Sequence, residues 1–177
     1  GSSWTELADL NTARQGAVGS GTQTAGIVAG GGTTADVESW NGSSWSEVNN
    51  LNTGRKNAHS FLGGLQTASL VISGQSGPPT TLTVNVESWD GTNWTEIANV
   101  NTARRFGAGA GTQTSALFSG GGSTTNVESW NSTSWTETTE LNTARGETAG
   151  AGSSNTNALV FGGNPAIAIT ESWNGSS

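Results

Sequence analysis

Four copies of one unit dominate this 177-residue chain and leave it few folds to choose from. The block GSSWTELADLNTAR at Gly1–Arg14 returns as GSSWSEVNNLNTGR at Gly42–Arg55, as GTNWTEIANVNTAR from Gly91 and as STSWTETTELNTAR from Ser132. Its closing arginines, Arg14, Arg55, Arg104 and Arg145, are spaced by 41, 49 and 41 residues. A second anchor, ESW, ends at Trp40, Trp89, Trp130 and Trp173. Residues 1–41 and 91–131 are identical at 23 of 41 positions. The chain therefore reads as a single domain over 1–177, with repeats of about 1–41, 42–90, 91–131 and 132–174.

Each unit reads as four short strands. A small-residue segment follows the arginine, as at Gly16–Gly21 and Gly107–Gly111, and turns at Gly21-Thr22-Gln23-Thr24. An apolar run closing on glycine comes next, as in Ile27-Val28-Ala29-Gly30-Gly31 and Leu159-Val160-Phe161-Gly162-Gly163. The third strand is V/T-E-S-W and the fourth is S/N-W-T/S-E. Short strands at this spacing, punctuated by Gly, Asn and Ser, indicate an antiparallel meander. Four strands in roughly 40–50 residues, repeated, are the signature of a propeller blade.

The last two strands carry a parity argument. Trp40 and Trp45 flank Asn41-Gly42-Ser43-Ser44, a hairpin signal. A four-residue loop pairs the two indoles directly, and a two-residue loop sets Trp45 opposite Glu38. Side chains alternate with period two, so either register puts both Trp on one face. That face is expected to pack between neighbouring blades, with Trp89–Trp94 and Trp130–Trp135 repeating it.

Composition narrows the function. Eight Trp argue against disorder in a chain with only 11% charged residues. Six Lys and Arg against 13 Asp and Glu give a net charge of -7, too few cations for a nucleic-acid surface. No apolar run approaches the ~20 residues of a membrane helix, so no membrane insertion is expected. The absence of Cys removes disulfides, thiolate nucleophiles and Cys-based metal sites. The chain opens on Gly and contains no Met, as a processed or excised chain does.

The units resemble kelch repeats, in which a glycine doublet closes one strand, an aromatic follows, then a Trp after a turn, then an Arg. Here these are Gly30-Gly31, Trp40, Trp45 and Arg55, and again Gly121-Gly122, Trp130, Trp135 and Arg145. Trp replaces the usual Tyr, the turn between the aromatics is shorter, and the second repeat keeps a single glycine, Gly74. The W-T-E and N-T-A-R units also look like those in predicted proteins of marine bacteria and their phages. The resemblance implies an all-β propeller that binds partners and does not catalyse; kelch rings usually have six or seven blades, whereas the repeats here make four four-stranded blades. It implies no copper site of the galactose-oxidase kind, because Tyr and Cys are absent and His59 stands alone.

The phase of the chain suggests how such a ring closes. It opens inside a fourth strand at Trp4 and ends after a third at Trp173. Residues 1–7 are thus expected to pair with the C-terminal strands and close a four-bladed ring, hiding its edges. An eight-bladed ring of two chains and a slice of a longer protein are the alternatives.

Candidate chemistry is sparse. His59 alone supports neither a metal site nor a Ser-His-Asp triad, and no cofactor is expected. The carboxylates Glu6, Glu47, Glu96, Glu137 and Glu38, Glu87, Glu128, Glu171 repeat with the fold. A glycosidase needs two carboxylates in different environments, so a small glycan hydrolase is only a remote alternative. Pairing with Arg14, Arg55, Arg104 and Arg145 is the expected role. The N-x-S/T sequons at Asn41, Asn93, Asn131 and Asn174 recur because the turn recurs.

The second repeat breaks the pattern. It carries Arg55-Lys56, His59, Phe61-Leu62 and an eight-residue extension around Ser73–Thr83 that includes Pro78-Pro79. Arg55, Lys56, His59, Gln75, Ser76, Pro78 and Pro79 are the candidate binding residues, since irregular loops on one propeller face commonly bind. The expected function is a non-catalytic module on a virion, such as a tail fibre or appendage, or on a cell surface, contacting a glycan or protein. A purely architectural subunit, whose partner is its own assembly, is the alternative.

Overall fold

The computed structural model describes residues 2–60 and 65–176, and within them the protein is all-β. The first repeat and the start of the second form a four-stranded antiparallel sheet, sheet 1, from β1 (Val18–Thr22), β2 (Ala25–Ala29), β3 (Val37–Trp40) and β4 (Trp45–Val48). In the second repeat β5 (Arg55–Lys56), β8 (Gln75–Ser76) and β9 (Thr81–Leu82) make a small three-stranded sheet of their own. Sheet 2 is built from β6 (His59–Ser60), β7 (Ser69–Ile72), β10 (Val86–Trp89) and β11 (Trp94–Ile97). Sheet 3 has β12 (Ala108–Thr112), β13 (Ser115–Ser119), β14 (Val127–Trp130) and β15 (Trp135–Glu137). Sheet 4 has three strands, β16 (Ala149–Ser154), β17 (Asn157–Phe161) and β18 (Thr170–Trp173). Phe61 and Leu62 lie outside the described residues.

Trp40 pairs directly with Trp45, Trp89 with Trp94 and Trp130 with Trp135, so each hairpin has the four-residue loop. The paired indoles sit 5.1–5.3 Å apart between ring centroids. Two of the three pairs pack between sheets, and Trp40–Trp45 lies on the first sheet, with none before it. Trp89 and Trp94 share a core with Val71, with Ile27, Ala29 and Val37 of sheet 1, and with Leu51 of the segment that links sheet 1 to sheet 2. Trp130 and Trp135 do the same with Leu70, Ile72, Val86 and Val100. At the third junction Leu117, Val127 and Leu141 meet Ala158, Val160 and Trp173. Burying such side chains contributes about 1.5–3 kcal/mol each, which makes the junctions the main apolar stabilisation.

A turn amide latches every junction. Gln66 Nε2 donates to Ser39 Oγ at 2.7 Å and Trp40 O at 2.6 Å. Gln113 Nε2 reaches Ser88 Oγ at 2.7 Å and Trp89 O at 2.6 Å. Asn155 Nδ2 reaches Ser129 Oγ at 3.1 Å and Trp130 O at 3.0 Å. The first strands β1, β6, β12 and β16 neighbour one another in turn. Their small side chains are required there: a Cβ on Gly150 of β16 would come within 2.7 Å of Gly109 O of β12.

One expectation fails. Residues 2–17 hold no strand, and Trp4 is fully exposed at 102%. β18 is paired on one side only, so the expected pairing of residues 1–7 with the C-terminal strands is not formed in this structure. Likeness to β4, with the same Trp and Glu positions, makes Trp4–Leu7 competent to be a strand, but an edge must be within reach before it can pair.

Candidate functional site

The repeated Arg and Glu form ion pairs: Arg14–Glu38, Arg55–Glu87, Arg104–Glu128 and Arg145–Glu171. Each joins a linking segment to the sheet it leads into. Asn52 N and Nδ2 donate to Glu87 Oε2 at 2.6 and 2.9 Å, while Arg55 takes Oε1. Arg55 also donates to Thr53 O at 3.2 Å and Asn85 O at 2.6 Å. Burial lowers the pKa of Arg55 and of Arg104, with their glutamates acting in the opposite sense. Burial works to raise the pKa of Glu171, but the Asn142 hydrogen bonds and Arg145 together hold it below the ordinary range. Glu38, Glu87 and Glu128 are fully buried, so a ligand has no access to them.

Of the candidate binding residues, Arg55 is withdrawn from the surface and His59 is half-buried with its Nε2 shielded. Arg55 is 1% exposed inside its ion pair. His59 lies on β6, its ring 6.4 Å from that of Phe118 and its Nε2 closed off from solvent. Desolvation pushes its pKa down to about 4, against a hydrogen bond to the Gly107 backbone that acts to raise it. At neutral pH it is uncharged, a half-buried strand residue whose Nε2 is shielded from solvent.

The remaining candidates come together. β8 and β9 form a hairpin that β5 extends: Lys56 pairs with Gln75, Arg55 with Ser76, Gln75 with Leu82 and Ser76 with Thr81. Asn57 Nδ2 donates to Gln75 Oε1 at 3.0 Å. Residues 77–82 are exposed, which places Pro78 and Pro79 at the tip and Leu82 on the return strand. Ser73 holds the base: its Oγ lies 2.7 Å from Thr83 O and accepts the Arg104 N–H at 2.9 Å. This hairpin flap lies between β7 and β10, on the side of the linking segments.

Two further residues join the flap's face. The Asn57 N–H donates to Gly16 O at 2.8 Å, Phe106 N–H to Asn57 O at 3.3 Å and Thr148 N–H to Phe106 O at 3.4 Å. Lys56 and Arg105 thus stand on consecutive steps of one backbone chain, each directly after a buried ion-pair arginine. Among the described residues they are also the two cationic side chains left once the four ion pairs are made. The Arg105 guanidinium lies 5.0 Å from the Phe106 ring centroid, and both line a depression of about 230 Å³ with Gly122, Ser123, Glu147 and Asn164. Arg105 and Phe106 were missed in the sequence, where Gln15 and Gly16 hold the same repeat positions and carry no charge or ring.

Among the described residues, no group of three or more His, Cys, Asp or Glu could hold a metal ion, and no helix is long and apolar enough to cross a membrane. No protein-family model and no curated protein matches the chain.

Proposed function

We propose that the four stacked sheets are blades of a kelch-like β-propeller and that the molecule is a non-catalytic binding module working through the flap face. The repeat order of glycine, Trp and Arg supports the kelch reading. The face-to-face stacking of successive sheets, with β1, β6, β12 and β16 side by side, supports the blade reading. The observation that carries the binding role is the flap itself. Among the described residues it is the one place where a repeat departs from its siblings to build an extra sheet, and its tip at residues 77–82 is exposed. It stands beside Lys56, Arg105 and Phe106 on a protein of net charge -7.

Cations next to an aromatic ring and polar amides suit a partner with acidic and hydroxyl groups, so the ligand is an acidic glycan or an acidic protein surface. Display on a virion or cell surface belongs to the same proposal and follows from the likeness to repeats of marine bacteria and their phages. A hydrolase reading has little to work with, since one repeated glutamate set is consumed in ion pairs and the other, Glu6, Glu47, Glu96 and Glu137, is exposed.

An array of acidic polysaccharides and acidic peptides tests the reading. Binding by the 177-residue chain is expected, weakened at least tenfold in the Lys56→Ala/Arg105→Ala variant, whose stability is unchanged. Absence of binding, with the chain found stoichiometric in a purified particle, would establish the architectural alternative instead.

A further inference from the structure

The two ends of the stack carry complementary halves of one junction. At each internal junction the face bearing Ile27, Leu70 or Leu117 is covered by the Trp-bearing face of the following sheet. Sheet 4 has no cover. Leu159 and Phe161 are 42% and 39% exposed at the positions where Leu70 and Ile72 are fully buried. Ser172 Oγ and Trp173 O accept no side-chain hydrogen bond among the described residues, although Ser39, Ser88 and Ser129 and the Trp carbonyls beside them each receive a turn amide. Beside the free edge of β18 lies a cavity of about 210 Å³, lined by Leu117, Val127, Leu141, Ala158 and Trp173. Trp94 and Trp135 fill the matching place at the first two junctions.

Sheet 1 holds the other half. Its Trp40–Trp45 face has no preceding sheet to cover. The Gln23 side chain is exposed and unbonded where Gln66, Gln113 and Asn155 latch their neighbours. Leu10 is only half-buried where Leu51, Val100 and Leu141 are in the core, and Trp4 stands in solvent.

We infer that the chain assembles head to tail with a second copy, whose strand Trp4–Leu7 adds to β18 and whose Trp4 indole fills the cavity beside Trp173. The internal hairpins set the register: Trp4 opposite Trp173, Thr5 opposite Ser172 and Glu6 opposite Glu171. The partner's Leu10 then covers Leu159 and Phe161, as Leu51 covers Ile27 and Ala29. Its Gln23 reaches Ser172 and Trp173 O. A cavity of roughly 150 Å³ already accommodates benzene, so the space is of the right order for an indole. The two unmatched halves within one chain share no core, which makes a second copy the occupant. Such a contact is heterologous, and it closes into a ring or propagates according to the angle between copies.

Light scattering across a concentration series, combined with cross-linking, tests the assembly. The expected result is concentration-dependent growth from 17.9 kDa to its multiples, abolished by Trp4→Ala. Trp4 is fully exposed, so this variant leaves the fold of the single chain intact. The chain has no Cys, so Thr5→Cys and Ser172→Cys made on separate chains report the register cleanly. Mixed and oxidised, they are expected to yield a covalent dimer. A monomer at all concentrations, association undiminished by Trp4→Ala, or a cross-link formed only inside one chain carrying both cysteines would overturn the inference. These readouts need no ligand and stand apart from the array experiment.

Discussion

The guanidinium of Arg104 rests over the ring of Phe118, 4.4 Å from its centroid. The other three repeats place Val28, Val71 and Val160 where Phe118 stands, and their arginines donate to two carbonyls through Nη1. Arg104 does not: its Nε and Nη1 are buried without a hydrogen bond, and Nη2 reaches Phe118 O at 3.0 Å and Glu128 at 3.1 Å. The ring has displaced the arginine from its carbonyls and offers a cation–π contact in exchange, worth about 2 kcal/mol when desolvated. Substitution should therefore invert the usual size order. Phe118→Leu keeps the bulk and loses the ring, whereas Phe118→Val lets Arg104 return to the hydrogen bonds of its siblings. Urea unfolding should find the valine variant about 1 kcal/mol more stable than the leucine variant, although valine leaves the larger cavity.

The four ion pairs are not equally sheltered. Glu87 is 1% exposed and Glu171 13%, because sheet 4 lacks the fourth strand that covers the other glutamates. Glu87→Gln leaves the Arg55 charge buried without its counter-ion, a loss of about 3–5 kcal/mol. At Glu171→Gln, water reaches the site and Arg145 keeps its bonds to Gly162 O and Ile169 O. That variant should lose about 1.5–3 kcal/mol, the range of a hydrogen bond to a charged group. Chemical denaturation of the two variants side by side checks the ranking, and equal losses would contradict it.

What could be read in the sequence follows the symmetry of the repeat. Alternation in V-E-S-W and W-T-E puts the Trp residues on one face, and the fourfold Arg and Glu point to pairing. Residues that depart from the repeat were harder. Arg55 and His59 share the flap's repeat, yet Arg55 has the buried role of Arg14, Arg104 and Arg145. Ser73 stands where the other repeats have Gly30, Gly120 and Gly162, and it adopts the same left-handed backbone at φ 56°. Its hydroxyl contacts to Thr83 and Arg104 depend on residues 10 and 31 positions away, which no local pattern encodes. Trp4 is the reverse case, for its sequence matches a strand but pairing depends on which edge it meets.

His59 makes the stability depend on pH. Its ordinary pKa of 6.5 falls to about 4 in the folded chain, because burial on β6 disfavours the charged ring. Above pH 6.5 the ring is neutral folded and unfolded, and it adds no pH dependence. As pH falls below 6.5 the unfolded chain takes up a proton that the folded chain refuses, so stability drops until about pH 4. One proton gives a slope of about 1.4 kcal/mol per pH unit across that window. Glu171 acts lower: its depressed pKa gives stability that is lost only as pH falls below its ordinary 4.5. Unfolding free energies measured from pH 7.5 to 4.5 should decline below 6.5 in the native chain. The slope should disappear in His59→Gln, which keeps a side-chain amide to bond Gly107, and a slope unchanged in that variant would remove His59 as its source.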